Sequence, residues 1–125
     1  MNKKEIIDAF RGKLVGGFFV KKMIAQTILK LPENIIHYLI DNVWFLSSSP
    51  ESFAYTFKGN DLAGQHMIFI SDELLAEPRD QIEYTILHEI GHVMLKHRNA
   101  INYHQPKHEI AKQEFEADQF ANQYL

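Results

Sequence analysis

Between residues 88 and 118 the chain carries a dense set of groups that bind metals or move protons. The first cluster is His88-Glu89-Ile90-Gly91-His92. On an α-helix, residues i and i+4 project from one face, so His88 and His92 can both reach a single ion. Glu89 stands beside His88, near enough to meet a water at that ion without being a ligand. In this H-E-x-x-H spacing two imidazoles hold a zinc ion and the carboxylate works as general base in hydrolysis. The surrounding helix is apolar on most sides through Ile82, Ile86, Leu87, Ile90, Val93, Met94 and Leu95. The stripe Thr85, His88, Glu89, His92 and Lys96 is its polar exception, and a metal cleft would give that stripe something polar to face.

A catalytic zinc site needs a third protein ligand and one open position. The chain has no cysteine, so that ligand must be His, Asp or Glu. A His-x-x-Gly-x-x-His extension would require glycine at 95 and histidine at 98, where the chain has Leu95 and Arg98. His97 lies nine residues past His88; at ~100° per residue on a continued helix it points about opposite. It suits the negative end of the helix dipole instead. His104 and His108, on or near a loop, stay open. The final helix offers a better choice. Its apolar stripe is Ile110, Ala117, Ala121, Tyr124 and Leu125, flanked by Phe120, and Glu114 falls in the middle of it. A carboxylate inside an apolar stripe is costly unless paired or metal-bound, so Glu114 is the expected third ligand. Glu116 falls with Glu109, Lys112, Gln113, Gln119 and Gln123 on the opposite, solvated face. Asp118, one turn beyond Glu114, is placed to accept the second ring N–H of His88. Histidine and carboxylate ligands accept manganese and iron as well as zinc.

These groups need elements to hold them. The first forty residues predict helices: a short one around Glu5–Phe10 ended by Gly16-Gly17, one over Val20–Leu31, and one after Pro32 with Ile35, Ile36, Tyr38, Leu39 and Ile40 on its apolar face. Val43–Leu46, Ser52–Phe57 and His66–Ile70 read as strands separated by turn residues. Three strands in succession with short turns predict an antiparallel three-stranded meander. A helix starting at Pro78–Asp80 carries the H-E-x-x-H cluster. A polar loop over Asn99–Pro106 precedes a last helix running to about Tyr124. The expected fold class is α+β: N-terminal helices (1–41), a small sheet (43–70), then a zincin-like active-site helix and a ligand helix (79–125).

The composition fits one domain. The 125 residues are 46% hydrophobic and 23% charged, enough for a single core. The missing cysteines exclude a disulfide scaffold, a thiol nucleophile and an iron–sulfur cluster. A net charge of −3 argues against a general nucleic-acid surface. The apolar run Leu14–Val20 is too short to span a bilayer, and Glu5 and Asp8 spoil it as a signal peptide. A cytoplasmic protein without membrane contact is expected.

The stretch His88-Glu89-Ile90-Gly91-His92-Val93-Met94-Leu95-Lys96-His97, followed by Glu114-Phe115-Glu116-Ala117-Asp118-Gln119-Phe120-Ala121, resembles the ImmA/IrrE metallopeptidases. The likeness covers roughly the last sixty residues. It implies a gluzincin-type zinc peptidase in which His88, His92 and Glu114 bind one zinc ion and Glu89 is the catalytic base. It also implies a cytoplasmic bacterial or phage protein whose substrate is a helix-turn-helix transcriptional repressor. Tyr103, His104 and His108 are the candidates for a second oxyanion donor, and the edge of the Met67–Ile70 strand is a candidate to pair with an extended peptide. The family's Leu-Met-Pro stretch is missing where the chain ends at Tyr124-Leu125. The alternative expectation is therefore a zinc-binding interaction domain without catalysis.

Overall fold

The computed structural model of the protein describes residues 1–48, 54–58, 65–97 and 106–125, with backbone alone for Ser48 and 54–58. In chain order the elements are α1 (Lys3–Ala9), β1 (Leu14–Val15), α2 (Phe18–Ile28), α3 (Glu33–Asn42), β2 (Val43–Ser48), β3 (Ala54–Lys58), β4 (His66–Ser71), α4 (Asp72–Leu75), α5 (Arg79–Met94) and α6 (Lys107–Tyr124). The expected turns over 49–53 and 59–64, and the loop over 98–105 with Tyr103 and His104, lie outside the described residues.

Local chemistry explains where the helices begin. Asn2 and Glu5 form a capping box at α1, each side chain bonding the other's backbone N–H at 2.9 and 3.1 Å. Pro32, Pro78 and Pro106 sit with extended backbone as the N-caps of α3, α5 and α6. The pair Gly16-Gly17 does not end the first helix as expected. That helix stops at Ala9, and the two glycines end the short strand β1 and admit α2. Gly16 has φ +154, and a Cβ there would meet Ser47 Oγ at 2.5 Å, so a side chain would strain the backbone and push the Ser47 hydroxyl aside.

The sheet corrects the antiparallel three-stranded meander. It has four strands in the order β1-β2-β4-β3. β1, β2 and β4 run parallel, and β3 alone is antiparallel, paired to β4. Phe45 stands beside Ile68 and Val43 beside His66 in the parallel register. Alternation of apolar residues settles which face of a strand is buried but carries no record of its neighbour. The strand Met67–Ile70, expected to offer an edge, is interior and paired on both sides; the sheet's edges are β1 and β3.

One contiguous core joins the helices to the sheet. Phe10, Ile24, Ile28, Leu39, Phe45, Ile68, Ile70, Leu74, Ile86, Leu87 and Ile90 are each fully buried in it. Burying each such side chain contributes about 1.5–3 kcal/mol. Helix α5 packs on α2, on the sheet and on α6, which is why its sequence is apolar on most sides. A buried carboxylate ties it to the turn that follows α2: Glu83 pairs with Lys30 at 3.1 Å, and with Arg79 of its own helix at 2.9 Å. Burial pushes the Glu83 carboxyl up, but the bonds and charges of Arg79 and Lys30 outweigh it and hold the group below its ordinary value. No described helix is long and apolar enough to cross a membrane.

Candidate metal centre

The polar stripe of α5 faces α6, and Gly91 sets how closely. A Cβ at Gly91 would lie 3.1 Å from Phe120 Cβ and 3.2 Å from its ring. Without a side chain there the two helices approach until carboxylates of α6 touch the histidines of α5.

The resulting cluster is tight. His88 Nε2 lies 2.9 Å from Glu114 Oε2, and His92 Nε2 lies 3.1 Å from Glu114 Oε1. The two Nε2 atoms are 3.1 Å apart. On the far side of its ring, His88 Nδ1 is 2.8 Å from Asp118 Oδ1. The Glu89 carboxylate, with its residue 7% exposed, lies with the His88 and His92 nitrogens in a group whose ligating atoms are all within 4.8 Å of one another. The structure brings His88, Glu89, His92, Glu114 and Asp118 together between α5 and α6.

The donor set fits a cation. A carboxylate only accepts hydrogen bonds, so His88 donates Nδ1–H to Asp118 and, as a neutral ring, leaves a lone pair on Nε2. That lone pair faces a carboxylate oxygen at 2.9 Å and a second imidazole nitrogen at 3.1 Å. A proton can bridge one such pair; one cation serves all three atoms. Ligands ~2.0–2.1 Å from a tetrahedral zinc stand ~3.3 Å apart, within a few tenths of the spacing here. Burial pushes the His92 imidazole down to about 4, with His88 and His97 adding to the effect and Glu114 opposing it. At neutral pH it is uncharged, as a metal ligand must be.

Several side chains escaped the sequence reading. The Tyr84 hydroxyl donates to Asp118 Oδ1 at 2.5 Å. Burial, then the Asp118 bond and charge and the Glu114 charge, push its phenol up to about 12. Tyr84 is one helical turn before His88, so its position was readable; its partner was not. His97 does not point away from the centre: its Nδ1 lies 2.9 Å from His92 Nδ1 and its Nε2 3.2 Å from Glu116 Oε1. Glu116 is likewise no plain surface charge. Glu114 itself is 53% exposed at the side chain and Ile110 is 42% exposed. The stripe of α6 is buried only through Ala117 and Ala121, so the carboxylate is held by its partners and not by apolar surroundings. His108 is exposed in the first turn of α6, about 9 Å along the axis from Glu114. It does not join the cluster, and Tyr103 and His104 fall outside the described residues.

Comparison with known proteins agrees with a hydrolytic centre. Residues 80–125 match the family model described as Peptidase U49. The matched span holds nearly all of α5 and all of α6, and with them every group of the cluster. The match supports a peptidase. No curated protein and no solved structure matches the chain.

Proposed function

We propose that the protein is a zinc-dependent metallo-endopeptidase of the ImmA/IrrE type. The observation that carries this reading is the convergence of His88 Nε2, His92 Nε2 and the Glu114 carboxylate within 2.9–3.1 Å, with Glu89 beside them. The peptidase match over the same residues supports it.

His88, His92 and Glu114 would hold the ion. When bound, zinc makes water acidic near neutral pH and polarises a carbonyl. Glu89 is buried beside the ligands, placed to take the proton of the attacking water and pass it to the leaving amine. Asp118 keeps the His88 ring oriented throughout. Strand β3, an edge of the sheet that packs against α5, is the place for an extended peptide to pair its backbone. The substrate we propose is a helix-turn-helix repressor, on the strength of the resemblance in the two ligand segments. Such proteolysis is regulatory.

Protein prepared without chelators should contain about one zinc per chain. Glu89→Gln should keep the zinc and lose hydrolysis of a co-encoded repressor by about 10²–10⁴-fold. A metal-free wild type would overturn the proposal. Equal, chelator-insensitive cleavage by both proteins would overturn the role of Glu89.

A further inference from the structure

Helix α5 ends at Met94, and the chain after it folds back. Lys96 N–H donates to the Val93 carbonyl at 3.1 Å and His97 N–H to the His92 carbonyl at 3.0 Å. Lys96 has φ 57, in the left-handed region. This pair of bonds is a Schellman turn, here without the usual glycine. It lays His97 against the last helical turn, where its side chain is only 7% exposed. Glu116 is two residues past Glu114, roughly 200° round α6 from it. His97 spans from Glu116 to His92.

We propose that Glu116 and His97 form a positioning chain for His92, deciding which ring nitrogen of His92 carries the proton and so aiming a bare Nε2 at the metal. The proposal rests on the metallopeptidase reading of the same centre. The direction of the chain follows from what each atom can do. The Glu116 carboxylate only accepts, so His97 donates Nε2–H across 3.2 Å. A neutral imidazole has one ring hydrogen, so His97 Nδ1 carries a lone pair. That lone pair lies 2.9 Å from His92 Nδ1, which must donate. His92 Nε2 is then bare, and it faces Glu114 Oε1 and His88 Nε2 at 3.1 Å each. Asp118 does the same for His88 in one step. The two ligands thus take their orientation from different carboxylates of one helix, and His97 is the adaptor for the one out of direct reach.

The test compares the metal-free and zinc-loaded full-length protein. Long-range ¹H–¹⁵N spectra of the metal-free wild type should show His92 protonated at Nδ1. In zinc competition against a chromogenic chelator, His97→Leu should bind about 10–100-fold more weakly than wild type. His97→Asn puts a carbonyl oxygen where Nδ1 stood and should recover most of that loss. Glu116→Leu, at a side chain 38% exposed and so tolerable to the fold, should weaken zinc binding in the same direction and blur the His92 tautomer. Thermal melts of each metal-free variant confirm folding. Three results overturn the proposal: His92 protonated at Nε2 in the wild type, unchanged zinc affinity in His97→Leu and Glu116→Leu, or equal losses in His97→Leu and His97→Asn. A wild type that binds no zinc at all instead removes the metallopeptidase reading, and this proposal with it.

Discussion

Asp118 Oδ1 receives two donors, His88 Nδ1–H and the Tyr84 hydroxyl. Tyr84→Phe removes one of them and leaves the ring packing in place. It should lower stability by ~1 kcal/mol and weaken zinc binding by about tenfold, read by denaturation and chelator competition. The same phenol should be visible by absorbance. The chain has five tyrosines, and one should ionise late, near about 12, in a titration where the variant shows no such step. A raised phenol pKa means that the neutral form is the one stabilised. Its contribution is complete below the ordinary value near ~10 and is lost as pH rises through the folded value. A tyrosine titration with no late step would contradict the Tyr84–Asp118 bond. At this scale much of the centre was legible. The i, i+4 spacing gave His88 and His92, and one turn past Glu114 gave Asp118. Glu114 was found through an apolar stripe that turns out to be half open to solvent. His97 and Glu116 were misread because an ideal helix was extended past the residue where α5 stops.

Among the elements, the approach of α5 to α6 decides whether Glu114 reaches His88 and His92. Gly91→Ala improves helix propensity by about 1 kcal/mol. It also sets a methyl 3.1 Å from Phe120 Cβ, an atom fixed to the α6 backbone that cannot swing away. We expect the helices to part by a few tenths of an ångström, with zinc affinity falling while metal-free stability changes little. Parallel melts and zinc titrations would measure both; unchanged affinity would mean that α6 slides without cost. The helices themselves were largely legible, because Pro32, Pro78 and Pro106 mark their starts and 3.6-residue periodicity marks their faces. Sheet order was not. The strands at 43–48 and 66–71 carry their apolar alternation equally well in a parallel or an antiparallel pair, and nothing local reports that β4 enters between β2 and β3.

Across the whole molecule, the N-terminal part is tied to α5 by the buried Glu83, which pairs with Lys30 after α2 and with Arg79 of its own helix. A carboxyl held below its ordinary pKa contributes stability that is complete above ~4.3 and is lost as pH falls through the lower, folded value. Acid unfolding should therefore steepen below about pH 4.3 in the wild type. Lys30→Met, which leaves Glu83 one partner fewer, should be less stable at neutral pH by about 1.5–3 kcal/mol and lose less on acidification. Denaturant midpoints at a series of pH values give the comparison; identical profiles would remove Glu83 as a source of acid sensitivity. The Arg79 half of this tie is readable as an i, i+4 pair on α5; the Lys30 half is not, since it comes from the turn after α2.

Helix α6 has 18 residues, of which only Ala117 and Ala121 are buried. Beside these and the core contacts of Phe120 and Tyr124, polar pairs fasten it: Glu114, Glu116 and Asp118 all bind residues of α5 or the turn that ends it. Such a helix is poised for local unfolding at a free energy well below that of the whole domain. Zinc would act as a latch on it, adding about 2.7 kcal/mol when present at a hundred times its dissociation constant. Amide hydrogen exchange in α6 should then accelerate on chelation, while the α2, β2 and β4 amides keep their protection. Exchange in α6 that ignores the metal would mean that the helix is docked by its alanines and aromatics alone. With the latch, loss of the ion would release Glu114 from His88 and His92, and Asp118 and Glu116 from the rings they orient, in one motion, so that metal release and undocking of α6 would be a single event.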